Sequence, residues 1–179
     1  MRKIILGAGI SLDGYVARPD GGIDFLGPVE GYTMSDLFNS LDAIAFGRKT
    51  FDEALKRGNG SYDAPMQMPT YVFSRSNPPG ERDGVIFTNQ TPAAFVAAMR
   101  QQQNGKNIFV MGGGELARSF LQDDVVDELH LGVYPVLLGS GIPFFPPDFP
   151  QRNFTLAESK AYPPDGFLEL RYVRKSHAE

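Results

Sequence analysis

The sequence predicts one α/β domain whose central sheet is mixed and mostly parallel. Apolar runs of strand length alternate with helical patterns, and these runs cover 42–46, 70–74, 84–88 and 107–111. Strands separated by helices imply parallel pairing with right-handed crossovers. The last two predicted strands, 154–162 and 167–175, are joined by only four residues, so they form an antiparallel hairpin. The 179 residues suit a single domain spanning 1–179.

The remaining elements follow from local signals. The run "KIILGAGIS" predicts a first strand over 3–11, and glycines and prolines predict a loop over 12–28. A later apolar pattern predicts a strand over 127–138. The predicted helices cover 33–41, a segment beginning near Thr50, 91–103 and 114–122.

Three of these helices have start signals. Thr33 and Thr50 each precede an acidic residue by three positions, which is the spacing of a capping box. Thr91 precedes a proline, the residue favoured at the first position of a helix.

The composition excludes several classes of protein. A net charge of −4 argues against nucleic acid as the main partner. The chain has no cysteine, which rules out disulfides and thiolate metal sites and fits a reducing cytoplasm, and two histidines argue against zinc. No apolar run approaches the roughly 20 residues of a membrane span. We therefore expect a cytoplasmic protein that acts on a small molecule, without metal, membrane or nucleic acid.

Three predicted strands end in residues that suit an anion. "GRKT" (47–50), "SRS" (74–76) and "GGGEL" (112–116) each follow a strand directly. Ligands of open α/β sheets bind beyond the carboxyl ends of the strands, and N–H groups at helix starts favour phosphate. These segments predict a split anion site large enough for a dinucleotide. Each segment also has a structural interpretation, since Thr50 could be only an N-cap, the glycines only a tight turn and Arg75 only a loop cation.

Other motifs carry less weight. "GAGISL" (7–12) begins like a dinucleotide fingerprint but has Leu12 at the third glycine position and no following helix. "GGGELA" (112–117) fits the pattern but comes too late in the chain for a doubly wound fold. His130 lies in a strand pattern without a serine partner, which favours a structural role.

Five motifs in order resemble the dihydrofolate reductase superfold. These are "SLDGYVA" (11–17), "GRKTF" (47–51), "VFSR" (72–75), "VMGGGELARSFL" (110–121) and "DELHLGVYPVLLGSGIPFF" (127–145). They are most similar to bacterial proteins related to the C-terminal reductase domain of the riboflavin biosynthesis enzyme. The resemblance implies a three-layer dihydrofolate reductase-like fold that binds NADPH.

The resemblance also implies roles for particular residues. The segments that would contact cofactor phosphates are Gly47, Arg48, Lys49 and Thr50, with Ser74 and Arg75 beside the adenosine 2′-phosphate. The segment under the pyrophosphate and nicotinamide is Gly112, Gly113, Gly114, Glu115 and Leu116. Gly9 and Val16 would face the nicotinamide.

Two acidic residues are candidates for the catalytic chemistry. Asp36 lies on the first helix, as the pterin-binding acid of dihydrofolate reductases does, although it is closer in sequence to "GRKTF" than that pattern requires. Asp13 matches the riboflavin-type relatives, and its alternative role is that of a turn former. The strand threonine that helps to hold a pterin is replaced by Gly132.

The expected function is an NADPH-dependent reductase that transfers hydride to a heterocyclic substrate. A phosphoribosylaminopyrimidine of riboflavin biosynthesis is the first candidate and a pterin such as dihydrofolate the second. A nucleotide-binding protein without turnover is the alternative from another class. The apolar stretch 133–149, together with the resemblance, also predicts a homodimer.

Overall fold

The computed structural model describes residues 1–60, 62, 65–102 and 105–175, and its strands form two sheets. The strands are β1 (Ile4–Ser11), β2 (Tyr15–Ala17), β3 (Leu41–Gly47), β4 (Thr70–Phe73), β5 (Gly80–Arg82), β6 (Val85–Thr88), β7 (Asn107–Val110), β8 (Glu128–Tyr134), β9 (Ile142–Pro143), β10 (Phe154–Tyr162) and β11 (Phe167–Arg174). The helices are α1 (Ser35–Asn39), α2 (Arg48–Arg57), α3 (Pro92–Gln101) and α4 (Gly114–Gln122), with a 3₁₀ turn over Pro65–Gln67.

The large sheet has the strand order β10-β11-β8-β1-β7-β3-β4-β6-β5. Its middle, from β8 to β6, is parallel, whereas β11 pairs antiparallel with both β8 and β10. The predicted mixed sheet with a C-terminal antiparallel hairpin is therefore confirmed. The chain moves from β1 outward to β3 and later returns to place β7 between them. Such a reversal of strand order opens a crevice at the carboxyl ends of the strands.

Helices cover both faces of this sheet, which gives three layers. On one face, α3 and α4 bury Phe95 and Phe120 against Leu6 and Val110. On the other face, Phe51 of α2 belongs to the second buried cluster, against which side chains of α1 also pack. Successive residues of β1 and β7 enter opposite clusters, because side chains alternate across a strand. Both faces of the central strands are thus apolar.

The structure corrects two of the predicted helix starts. Helix α1 begins at Ser35 with Met34 at the N-cap, and α2 begins at Arg48 with Gly47 at the N-cap. Thr33 and Thr50 are therefore not N-caps, and the predicted capping boxes are wrong. Thr91 does cap α3, since its Oγ1 accepts a hydrogen bond from the Ala94 N–H at 3.2 Å. That helix ends at Gln101, and position 103 of its predicted range lies outside the described residues.

The strands differ from the prediction in three places. The strand predicted over 127–138 covers Glu128–Tyr134, because Pro135 follows and has no N–H to donate. The predicted loop over 12–28 contains β2, which pairs with β9 in a separate two-stranded sheet. The short edge strand β5, which pairs with β6, was not predicted.

Candidate functional site

A cavity of about 1450 Å³ runs along the carboxyl edge of the parallel strands. Ligand pockets are commonly about 300–1,000 Å³, so this one has room for a dinucleotide and a second molecule. It divides into two parts by the strands that form it. We call the part beyond β3, β4, β6 and β7 the cofactor half, and the part between β1, β8, β11 and residues 21–37 the substrate half.

The cofactor half contains most of the residues that the sequence singled out. The predicted residues that line the cavity there are Gly47, Arg48, Lys49, Thr50, Ser74, Arg75, Gly113, Gly114, Glu115 and Leu116. Gly9 and Val16 line it toward the substrate half. Gly112 does not line it, and residues 88–92 line it although the sequence did not single them out.

The three consecutive glycines are required by close packing. Gly112 has a φ of +83°, which L side chains rarely adopt, and its peptide bond to Gly113 is cis. A Cβ at Gly113 would lie 2.9 Å from Thr50 Oγ1, and one at Gly114 would lie 2.5 Å from the Pro143 carbonyl oxygen. Bare backbone is therefore exposed at the cavity wall, as close contact with a pyrophosphate demands.

Two helices point their N-termini at this wall. Both α2 and α4 have a glycine N-cap without a capping side chain in the described part of the chain. The N–H groups of a helix's first turn have no intrahelical acceptor, and the helix dipole makes them attractive to anions. The two turns are fastened together, since Gly47 N–H donates to the Gly112 carbonyl at 2.7 Å and Gly113 N–H donates to Thr50 Oγ1 at 2.6 Å. The pair of turns fits phosphate groups.

Cations lie beside these turns. Arg48 pairs with Asp52 one turn along α2. Lys49 and Arg75 are exposed, and no acidic side chain among the described residues forms an ion pair with either. Buried Ser74 shapes the turn that carries Arg75, because its Oγ accepts the Asn77 N–H at 3.0 Å and donates to Asn77 Oδ1 at 2.9 Å. Two cations thus remain available to a phosphate ligand.

The substrate half is mostly aromatic. The rings of Tyr32 and Tyr134 lie 4.8 Å and 4.9 Å from the Phe167 ring, centroid to centroid. Gly132 makes room for that ring, because a Cβ there would lie 2.7 Å from Phe167 Cζ. On the neighbouring strand, a Cβ at Gly9 would lie 3.1 Å from Tyr134 Cε2. This arrangement can hold a planar ring.

Two polar side chains from β8 and β11 line the same half. Glu169 accepts a hydrogen bond from the Tyr162 hydroxyl at 3.1 Å. His130 Nε2 lies 3.0 Å from Oε2 of the buried Glu128, so the structural role predicted for this histidine agrees with its contact. Burial, reinforced by the negative charge of Glu169, raises the pKa of Tyr32 to about 12. The Tyr32 phenol therefore stays neutral beside the carboxylate.

The two predicted catalytic carboxylates are not at the cavity. Asp13 accepts hydrogen bonds from Ser11 Oγ at 2.6 Å and from the Gly139 N–H at 2.7 Å, and the Leu138 N–H adds a third. The hydrogen bond from Ser11, together with the two N–H groups, lowers the pKa of Asp13. Asp36 is exposed on α1. Neither belongs to the cavity lining, and the geometry gives Asp13 a role in fixing the loop before β9.

Sequence reasoning missed Tyr32, Tyr134, Phe167 and Glu169. They come from three separate parts of the chain, since Phe167 and Glu169 both lie on β11, and only the pairing of β11 with β8 brings Glu169 opposite Gly132. Alternation along β11 was the available signal, since Phe167 and Glu169 share a face of that strand.

Among the described residues, no group of three or more metal-binding side chains is present. No helix in the described ranges is long and apolar enough to cross a membrane.

The sheet order, the three layers and the cavity at the strand ends define a dihydrofolate reductase-like α/β protein. The chain belongs to the RibD C-terminal domain family, whose sequence model matches residues 2–168. The predicted resemblance is therefore confirmed.

Curated relatives match along nearly the whole chain. The uncharacterized protein YwjB of Bacillus subtilis (strain 168) is 36% identical over 177 residues, which cover 97% of this chain and 98% of YwjB. YyaP of the same organism is 31% identical and covers 96% of this chain and 94% of its own.

Solved structures share the fold. A protein ascribed to riboflavin biosynthesis from Shewanella sp. PV-4 superposes with a TM-score of 0.83 and 26% identity, covering 97% of this chain and 99% of its own. A diaminohydroxyphosphoribosylaminopyrimidine deaminase/5-amino-6-(5-phosphoribosylamino)uracil reductase from Thermotoga maritima superposes with a TM-score of 0.71 and 15% identity. That match covers 97% of this chain and 57% of the Thermotoga protein, and it shows the fold alone.

Proposed function

We propose that this protein is an NADPH-dependent reductase that transfers hydride to a heterocyclic substrate. The observation that carries the proposal is a single cavity in which an anion-binding backbone edge adjoins an aromatic pocket. NADPH, when bound, supplies the hydride, while the protein supplies binding, orientation and exclusion of water. Membership of the RibD C-terminal domain family supports this class of chemistry.

The cofactor half would bind the charged part of NADPH. The first turns of α2 and α4 would donate N–H groups to the pyrophosphate, next to the backbone of Gly113 and Gly114. Arg75 and Lys49 are free of ion pairs with described residues, and they would contact the 2′-phosphate. Gly9 and Val16 lie where the two halves meet, so they would border the nicotinamide and keep water from it.

The substrate half favours a phosphoribosylaminopyrimidine over a pterin. The Thermotoga maritima relative is named for a 5-amino-6-(5-phosphoribosylamino)uracil reductase activity. The strand position where the dihydrofolate reductase pattern has a threonine is Gly132 here, and the ring of Phe167 occupies the space beside it. A pterin would therefore lack that hydroxyl partner.

A steady-state assay tests the function. NADPH oxidation would be followed by absorbance against aminopyrimidines carrying a ribosyl phosphate, their dephosphorylated forms and reducible pterins. We expect turnover with an aminopyrimidine and little with the pterins. NADPH binding without oxidation in every case would instead support the nucleotide-binding protein without turnover.

We also propose a homodimer. Phe144 is buried, so part of the apolar stretch 133–149 belongs to the core, but Leu137 is 71% exposed. Leu156 and Leu168 on the adjacent strands β10 and β11 are 48% and 40% exposed, which adds apolar surface to this end of the sheet. Sedimentation at micromolar protein should give twice the chain mass of 19.7 kDa, and a single species of 19.7 kDa would exclude the dimer.

A further inference from the structure

We propose that Glu169 is the substrate-recognition residue of the cavity, and that its carboxylate accepts hydrogen bonds from N–H donors of a planar nitrogen heterocycle. The inference rests on the proposed function, because it names the chemical feature of the substrate that the reductase selects. None of the sequence motifs indicated Glu169.

The position of Glu169 on β11 gives its carboxylate access to the cavity. Glu169 lies on β11 opposite Gly132 of β8, and the Phe167 ring fills the space that a side chain at Gly132 would take. Glu169 is partly buried and lines the cavity, whereas its neighbour in sequence, Leu168, faces outward and is 40% exposed. The Glu169 carboxylate therefore faces the cavity.

The Glu169 carboxylate can accept further hydrogen bonds. Its Oε2 accepts the Tyr162 hydroxyl at 3.1 Å, and no described residue donates a hydrogen bond to Oε1. An ionised carboxylate offers about four lone-pair sites, and taking it out of water is costly unless donors replace the water. A ligand with neighbouring N–H groups would supply those donors.

The side chains around Glu169 are mainly aromatic. Tyr32 packs against both Phe167 and Tyr162, with its ring centroid 4.8 Å and 5.6 Å from theirs. The Tyr134 ring also packs against Phe167, with its centroid 4.9 Å away. Aromatic faces stack on planar rings, and a neutral Tyr32 phenol adds no second negative charge. The site thus selects a flat, N–H-bearing heterocycle.

The nearby cation does not neutralise Glu169. Lys160 lies opposite Glu169 in the pairing of β10 with β11, but it is exposed and its Nζ lies over the Tyr162 ring, 4.8 Å from the ring centroid. Glu169 forms no ion pair within the described part of the chain. Its charge is therefore available to a ligand.

The test is a binding titration with two probes. 2,4-Diaminopyrimidine presents the N–H donors, and 2,4-bis(dimethylamino)pyrimidine is the same ring without them. Wild-type protein should prefer the diamino probe, and E169Q should weaken that probe by about 10- to 100-fold because hydrogen bonds to a charged group are lost. The methylated probe should bind wild type and E169Q equally weakly.

The matched control is E158Q. Glu158 lies one strand away on β10, exposed and paired with Arg171 at 3.4 Å, so the same charge is removed outside the cavity. E158Q should bind the diamino probe as wild type does. If E169Q fails to fold, E169D keeps the charge but withdraws it by one methylene, and it should show an intermediate loss.

NADPH titration of the same variants separates this inference from the proposed function. We expect NADPH affinity to be unchanged in E169Q. Diamino-probe affinity that is equal in wild type and E169Q overturns the role of Glu169, whatever NADPH does. If the protein binds the probe through Glu169 but does not bind NADPH, the role of Glu169 stands and the proposed reductase function is wrong.

Discussion

The two halves of the cavity are built from different parts of the residues that line them. The cofactor half is made of backbone at two strand-to-helix turns, where glycines place no side chain at the cavity wall. The substrate half is made of long side chains, chiefly Tyr32, Phe167 and Glu169. A backbone site is damaged by adding atoms, whereas a side-chain site is damaged by removing them. The two halves should therefore respond oppositely to mutation.

The largest effect is expected from adding atoms in the cofactor half. Gly113→Val places a Cβ 2.9 Å from Thr50 Oγ1 and side-chain methyl groups at the wall that the pyrophosphate would use. We expect NADPH affinity to fall by more than about 100-fold, while circular dichroism shows a folded protein.

Gly27→Val is the matched control for this substitution. No atom beyond its chain neighbours lies within 4 Å of a Cβ at Gly27, and its φ is not in the left-handed region. This variant should bind NADPH normally. A folded Gly113→Val protein with wild-type affinity would place the cofactor elsewhere.

The next effect concerns the discrimination between cofactors. Arg75→Ala should weaken NADPH by about 10- to 100-fold and leave NADH little changed, because only NADPH has the 2′-phosphate that a charge-assisted hydrogen bond would reach. Arg82→Ala removes the same charge from an exposed residue that does not line the cavity, where Arg82 stacks on Phe87. Equal weakening of both cofactors by Arg75→Ala would show that Arg75 does not contact the 2′-phosphate.

A third effect concerns Glu128, the buried hydrogen-bond partner of the cavity-lining His130. Glu128 is buried and accepts hydrogen bonds from Lys3 Nζ at 2.6 Å and His130 Nε2 at 3.0 Å. Burial raises its pKa, but the hydrogen bonds from Lys3 and His130 outweigh burial and leave the pKa below the ordinary 4.5. Glu128→Gln should cost about 2 kcal/mol of unfolding free energy at neutral pH, measured by urea denaturation.

The same substitution should change the pH dependence of stability. A carboxyl whose pKa is lower in the folded state stabilises fully above its unfolded value, here 4.5, and that stabilisation is lost as the pH falls through the folded value. The difference between wild type and Glu128→Gln should therefore shrink below pH 4.5. A difference that stays constant down to the folded pKa would contradict the ionised network.

The smallest effect is expected at the tie between the two turns. Thr50→Val keeps the shape of the side chain but removes the acceptor for the Gly113 N–H. We expect a loss of about 1 kcal/mol of stability and about fivefold in NADPH affinity. Thr155→Val, on the exposed strand β10, should change neither. Unaltered stability and affinity in Thr50→Val would mean that this hydrogen bond does not position the turn.

The difference between the halves also explains what the sequence could predict. The cofactor half is encoded in short contiguous segments such as "GRKT" and "GGGEL", each placed directly after a strand, so local pattern was sufficient. The alternation of strands and helices likewise predicted the parallel sheet and the final hairpin. The N-cap at Gly47 was missed because Thr50 and Glu53 had capping spacing, while Thr50 in fact bonds to Gly113.

The substrate half could not be predicted in this way. Tyr32 lies in a loop and Glu169 on the last strand, and they meet only because β11 joins the sheet beside β8 rather than at its other edge. Asp13 was a candidate because it lies in the "SLDGYVA" motif and Asp36 because it lies on the first helix, yet the fold gives Asp13 to the loop at Gly139 and leaves Asp36 exposed. The register between strands that are distant in sequence decides which side chains meet in the substrate half, and the motifs do not encode that register.

Binding of NADPH at one end of the cavity is tested most directly by calorimetric titration of the wild-type protein with NADPH and with NADH. We predict one NADPH bound per chain, at least about tenfold more tightly than NADH, because Arg75 and Lys49 form no ion pair with a described residue and can bind the 2′-phosphate. Equal affinities for the two cofactors, or no binding of either, would contradict it.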